Sequence, residues 1–315
     1  MKSPFYPVFS AVRLPRLPAW ALALALPLAL HAADTGLTFA TPEAAVAALV
    51  AAVNTSDTNA LHDIFGPGAT DIENPDRVQA ASEFAEFSAA LSLTNQLVAE
   101  SDAKYTLEVG AKSWPFPIPI VKSGDRWYFD TAAGKDEILN RRIGENELAT
   151  LDTVRAYVAA QREYAAKDRN GDEVLAYAQK LISSPGLKDG LYWPPELDGE
   201  TSPLGPLVAQ AETEGYTLHA SGAAPQPFHG YFFKILKRQG AAAPGGKYNY
   251  IINGHMIAGF AVVAWPAVYG QSGIMTFIVN QQGRVYQKDL GPKTEKIAGS
   301  MKTYNPDSSW SVSLD

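Results

Sequence analysis

TVRAYVAAQREYAAK at residues 153–167, IAGFAVV at 257–263 and IMTFIV at 274–279 are the stretches that decide the fold. In the first, Val154, Tyr157, Val158 and Tyr164 recur at helical spacing and make one apolar stripe. The other two are short apolar runs of strand length, rich in branched and aromatic side chains. One amphipathic helix laid on one antiparallel sheet buries both apolar faces, the minimum for a core. Further strands are expected at 231–236, 248–252 and 284–287, with the second run extended to 256–265. Gln281-Gln282-Gly283 reads as a hairpin turn, and a terminal helix is expected near 294–301. Between helix and sheet, Val174, Tyr177, Ala178 and Leu181 suggest a further helix, and 183–227 reads as loop. Residues 146–315 thus read as a domain able to fold by itself.

The first half reads as helices followed by a small sheet. Thr41 is a good N-cap, Pro42 suits the first helical position and Glu43 suits the dipole there. Val46, Leu49, Val50 and Val53 form a stripe. A second helix from Asp57 stops at Gly66-Pro67, and a third carries Val78, Phe84, Phe87 and Leu91. Strands are expected at 104–109, 118–121 and 126–129, the last two joined across Ser123-Gly124-Asp125. The proline-rich stretch 114–119 reads as a sheet edge, since proline cannot donate to a ladder. This order is α+β, and residues 36–145 resemble the NTF2-like helix-plus-sheet domains of exported proteins. A helical bridge at 134–147 leads into the second half, with the boundary expected near Gly144.

Residues 1–33 read as a signal peptide. Lys2, Arg13 and Arg16 precede an apolar run from Leu17 to Leu30 that exits at Ala32 and Ala33. The run is short for a membrane span. Cleavage there yields a chain with no membrane span, in the periplasm or secreted. It also takes the formal charge from −7 to −10, because the segment holds three basic side chains and no acidic ones. Such a chain lacks the clustered cations that nucleic acid requires; Arg141-Arg142 and Lys237-Arg238 read as isolated, solvated pairs. There are no cysteines. Thiol catalysis, thiolate metal sites and disulfide support are therefore excluded.

Four motifs, WPFPIP at 114–119, DTAAGKDEILNRRIG at 130–144, DGLYWP at 189–194 and YGQSGIMTFIVN at 269–280, resemble a bacterial exported family known only as domain of unknown function 2950. The resemblance covers residues 36–310. It implies no activity and no site residues; it hints at a partner that is another exported protein. The second half also resembles a pilin-like domain, a long helix packed on an antiparallel sheet, but without the apolar helix through which pilins polymerise.

Four places invite chemistry. Asp168-x-Asn170-x-Asp172 alternates oxygen ligands like a calcium loop. However, Gly171 lies one place early and Gln179 stands where a bidentate glutamate is needed, so a side-chain-capped turn is the plainer reading. His62, His219, His229 and His255 lack zinc spacing, although His229 and His255 begin expected strands and are able to meet. Ser272 lies outside a nucleophile-elbow pattern, and a Ser272–His229–Asp289 triad is only a sketch. Tyr192, Trp193, Trp265 and Tyr269 stand beside proline or glycine, where aromatics form either a stacking platform or the edge of a core. With His229 they are the candidate ligand-binding residues. No catalytic residue, metal or cofactor is expected. The sequence therefore points to an exported binding or assembly module of the cell envelope, with an envelope component or exported protein as partner. The alternative is a hydrolase acting on an envelope polymer.

Overall fold

Thr41 accepts a hydrogen bond from the Ala44 N–H at 3.2 Å and opens α1 (Pro42–Asn54), with Pro42 in the first turn as the sequence suggests. The computed structural model describes residues 35–169, 171–197, 199–217 and 226–313. The expected leader at 1–33, Asn170 and His219 lie outside the described residues. Asp57 caps α2 (Thr58–Phe65), and a 3-10 turn leads to α3 (Ala69–Ile72) and α4 (Arg77–Leu93). The first sheet holds β1 (Asn95–Ser101), β2 (Lys104–Val109), β3 (Trp114–Pro115), β4 (Ile120–Ser123) and β5 (Arg126–Phe129). Its order is β1-β2-β4-β5, all antiparallel, with β3 paired to β2. Leu107, Val109, Ile120 and Phe129 from this sheet pack against Leu49 and Val53 of α1, Ile64 of α2 and Leu91 of α4. The proline-rich stretch is an edge, as expected. β1 is not among the expected strands, being mostly exposed and polar.

Asp130 caps α5, which runs unbroken from Thr131 to Tyr164. Near its start the backbone touches the connection between β3 and β4. A Cβ on Gly134 would stand 2.8 Å from the Cα of Ile118, so only glycine fits. The helix passes straight through Gly144, the place of the expected boundary. An interior glycine costs only about 1 kcal/mol against alanine, which the packing on either side outweighs.

Beyond α5 the second sheet has the order β14-β13-β12-β11-β6. Its strands are β6 (Tyr231–Leu236), β11 (Ala261–Pro266), β12 (Met275–Asn280), β13 (Tyr286–Asp289) and β14 (Ser311–Val312). Between them lie two ribbons, β7 (Arg238–Gln239) on β8 (Tyr248–Asn249) and β9 (Ile251–Ile252) on β10 (His255–Met256). Side chains alternate along a strand, so Tyr231 and Lys234 of β6 face opposite ways. The Tyr231 hydroxyl lies 3.5 Å from Glu147 on α5, while Lys234 donates to carbonyls of Ala298 and Gly299 at the end of α7 (Thr294–Ser300). The sheet therefore lies between α5 and α7. That is why β11 is buried along its whole length and reads as a continuous apolar run. Val154, Tyr157 and Val158 pack in this second core as the stripe requires. Helices and antiparallel sheets in both halves make the protein α+β.

Two expectations fail in the middle. No helix forms at 174–181. Gln161, fully buried on α5, accepts from the Ala178 N–H and donates to the Ala178 carbonyl, both at 2.9 Å. Tyr177 N–H goes to the Met256 carbonyl at 2.8 Å. These backbone groups are claimed from outside, so a helical ladder has no use of them. The stretch expected to be loop contains α6 (Gly205–Thr213), with Pro206 in its first turn. It also contains a 3-10 turn at Pro195–Leu197.

Residues 34–315 form one compact unit with two hydrophobic cores, and a buried polar seam joins them. Asp76 is 3% exposed. Its Oδ1 caps α4 through the N–H groups of Val78 and Gln79, and its Oδ2 accepts from the Tyr216 hydroxyl at 2.9 Å and the Gly230 N–H at 3.0 Å. Asn146 on α5 accepts from the Gln79 side chain at 2.8 Å and donates to the Ser272 carbonyl at 2.9 Å. Glu147 accepts from the N–H groups of Ile274 and Met275, each at 2.9 Å. Gly230 has φ 71°, and a Cβ there would stand 2.6 Å from the Asn146 amide. Asp76→Ala removes a cap and leaves two donors without their acceptor, so it is expected to cost about 3 kcal/mol in urea unfolding. Lys296→Ala on the exposed face of α7 is expected to stay within about 0.5 kcal/mol.

A second polar knot holds the irregular segment after α5. Glu200 receives Lys167 at 2.8 Å, Lys188 at 2.7 Å and Arg169 at 2.6 Å. Hydrogen bonds from Lys167, Lys188 and Arg169 pull its carboxyl down from 4.5 to about 2. A depressed carboxylate stabilises the fold above its ordinary pKa, and the contribution is lost as pH falls from 4.5 toward 2. Glu200→Gln is therefore expected to melt below the wild type at neutral pH. The gap should narrow on acidification toward pH 2; a gap independent of pH would show that the charge contributes nothing.

Candidate functional site

The periodicity of two helices builds a cleft. Glu83, Glu86, Phe87 and Ala90 follow i, i+3, i+4, i+7 spacing along α4, and Ile138, Arg141, Arg142 and Glu145 follow the same spacing along α5. Each set makes one helix face. The two faces and the β2–β3 edge, through Val109, Trp114 and Phe116, line a cleft of about 480 Å³. That volume falls in the range of small-molecule sites.

Its floor is aromatic. Phe87 and Phe116 stack with centroids 5.1 Å apart and planes 26° apart. Phe116 also meets Phe129 edge-on at 6.3 Å, which ties the floor to the first core. Trp114 stands 6.4 Å from Phe116 and is 41% exposed. The Arg141 guanidinium lies 5.1 Å from the Trp114 ring centre, held by Glu137 at 2.7 Å.

The walls are charged. Arg142 is buried and donates to the carbonyls of Glu73 at 3.0 Å and Ile72 at 2.6 Å. Burial pulls its guanidinium below the ordinary value, and Glu83 opposes this. Glu83 is exposed as a residue, yet the cleft wall withdraws its carboxyl from water and pushes it above the usual carboxylate range. Asn74 and Arg142 counter that shift, whereas Glu145 and Asp76 add to it. Among the described residues this lining offers no hydroxyl, imidazole or amine nucleophile, so its chemistry is that of binding or of carboxylates acting alone.

The residues singled out in the sequence lie elsewhere and apart. Trp193 is 1% exposed, edge-on to Tyr164 at 6.4 Å and flanked by Arg169 at 5.3 Å and Lys188 at 5.2 Å. Its Nε1 donates to the Glu200 carbonyl at 3.1 Å. Tyr192 is half-buried against the second core, with its backbone paired to Ile182. Trp265 packs against Phe232 at 5.8 Å and Lys234 at 5.7 Å. Among the described residues no ring contact joins Trp193 to Trp265. The Tyr269 hydroxyl donates to Asp289 at 3.2 Å.

His229 belongs to the seam. At φ 46° it donates its N–H to the Tyr216 hydroxyl, and its Nε2 lies 3.0 Å from Glu214. His255 pairs instead with Asp172 at 3.3 Å, so the two histidines have separate partners. His62 sits beside Glu73 at 3.1 Å. Ser272 is fully buried, and its hydroxyl exchanges hydrogen bonds with the Val268 backbone at 3.0 and 3.2 Å. Asp168 accepts from the N–H groups of Gly171 and Glu173, a side-chain-capped turn. A second cavity of about 310 Å³ near Lys180, Lys237 and His255 has walls already paired internally, with Lys180 on Asp189 at 2.6 Å and Lys237 on Gln179 at 3.3 Å.

The cleft escaped the sequence reading because its parts look ordinary singly. Phe84, Phe87 and Leu91 read as core, Arg141-Arg142 as a solvated pair, and 114–119 as an edge. The usable signal was the repeated spacing on two helices with carboxylates beside aromatics. No curated protein and no solved structure matches the chain. One family model does match, over residues 37–313, which spans both cores and the seam; the chain belongs to the family described as protein of unknown function (DUF2950).

Proposed function

We propose that this protein is an exported binding module of the cell envelope and that it holds its ligand in the cleft between α4, α5 and β3. The observation that carries the reading is the open aromatic floor. Trp114 leaves 41% of its surface in water beside the Phe87–Phe116 stack, at a place where a core has no need of a third ring. Large aromatics at the mouth of a half-open cleft are what ligand sites use for affinity. Export rests on the basic, apolar and small-residue order of residues 1–33. No helix among the described residues is long and apolar enough to cross a membrane. The partner is an envelope component or another exported protein.

The second reading, a hydrolase on an envelope polymer, draws on Glu83. A carboxyl held above its usual range and near another carboxylate is a general-acid candidate. Against it, the Asn74 amide and the Arg142 guanidinium both favour the charged form of Glu83, whereas a general acid must hold its proton.

Two experiments test the proposal. Mass spectrometry of the native protein should find a chain beginning at Ala33 or Asp34 in the periplasmic or culture fraction; an intact leader in the membrane pellet contradicts export. Purified envelope fragments should retain the mature chain, and Trp114→Ala should weaken retention about tenfold, the effect of losing one anchoring aromatic. Equal retention of the variant contradicts the cleft as the site. Release of soluble fragments that stops in Glu83→Gln would instead establish the hydrolase.

A further inference from the structure

The balance of charge in the cleft says more about what enters it. Three carboxylates, Glu83, Glu86 and Glu145, share the lining with two guanidiniums. Both guanidiniums are already engaged. Arg142 is buried on the carbonyls of Ile72 and Glu73, and Arg141 is held by Glu137 and lies against Trp114. Among the described residues, neither Glu86 nor Glu145 has an ion pair, and the hydrogen bond that Glu83 accepts comes from the neutral Asn74 amide at 3.1 Å. Glu83 and Glu145 therefore repel one another in walls where carboxylates outnumber guanidiniums, beside a floor of Phe87, Phe116 and Trp114.

An anion entering this space meets three carboxylates against two guanidiniums that already hold hydrogen-bond partners within the protein. A neutral sugar can stack on Trp114, but it leaves the repulsion as it was. A cation relieves the repulsion and gains the attraction of the ring faces, the combination by which aromatic sites recognise ammonium groups. The Arg141 guanidinium 5.1 Å from the Trp114 ring shows that this environment already accommodates a positive charge. Charge and shape agree on one class of ligand. We propose that the ligand of this cleft is an organic amine or quaternary ammonium carried on an apolar or aromatic body, with the charge set against Glu83, Glu86 and Glu145 and the body on the aromatic floor. This rests on the reading of the cleft as the binding site.

The test uses the mature chain and isothermal titration with three probes: benzyltrimethylammonium, benzoate, and the disaccharide of N-acetylglucosamine. Saturable binding of the cation alone is expected. It should weaken at least tenfold in Trp114→Ala and in Glu83→Gln/Glu145→Gln, and it should also weaken as salt is raised. Glu145→Gln alone lies at an exposed helix position and should fold normally; a several-fold loss is expected there too. If the disaccharide binds, loses binding in Trp114→Ala, and the cation does not bind, the amine assignment is overturned while the cleft remains the site. If the cation binds equally well to all variants, or if no probe binds, both the assignment and the cleft fail.

Discussion

The Asp76 carboxylate is almost wholly enclosed, and among the described residues no cation stands beside it. An unpaired buried charge is costly unless donors surround it. Here the donors come from distant parts of the chain: the first turn of α4, the Tyr216 hydroxyl after α6, and the Gly230 N–H at the start of β6. Satisfying one carboxylate therefore fixes where α4 begins and where the second sheet begins. The face that α4 turns to the cleft starts only seven residues later, at Glu83. The placement of the cleft wall thus depends on a contact made with the other half of the molecule.

Helix α5 extends the same constraint along its length. Residues 138–145 line the cleft, Asn146 and Glu147 grip the seam, and 151–164 face the second core. Three tasks follow one another on a single 34-residue rod. Such a helix gains little from propensity alone, and packing on both sides of Gly144 keeps it unbroken through a poor helix former. The two cores remain distinct in their side chains, and their joint is polar and specific. A polar joint of this kind fixes relative position more by direction of hydrogen bonds than by buried apolar area.

The parts of this architecture visible in the sequence are those governed by neighbours along the chain. Thr41-Pro42, Asp57, the 123–125 turn and the stripe from Val154 to Tyr164 act through local caps, turns and period, and the structure places them as read. The failures have a common physical origin. Residues 174–181 carry a helical pattern, yet Gln161 and Met256 take their backbone groups. The cleft draws on 83–90, 109–117 and 138–145, and no one segment carries its meaning. Conversely Trp193, prominent because of its Asp-Gly-Leu-Tyr-Trp-Pro setting, is enclosed by Arg169, Lys188 and Tyr164. Aromatic residues beside proline or glycine mark sites and core edges alike, and exposure alone separates them.

Tryptophan therefore offers the most direct measurement. The chain has six, of which Trp114 lies in the cleft, Trp127 in the first core, and Trp193 and Trp265 in the second. In mature protein labelled with 5-fluorotryptophan, titration with benzyltrimethylammonium followed by fluorine NMR should move the Trp114 resonance, identified by its loss in Trp114→Phe. Those of Trp193 and Trp265 should stay in place. Movement of the Trp193 or Trp265 resonance with Trp114 unchanged would contradict the cleft as the binding site.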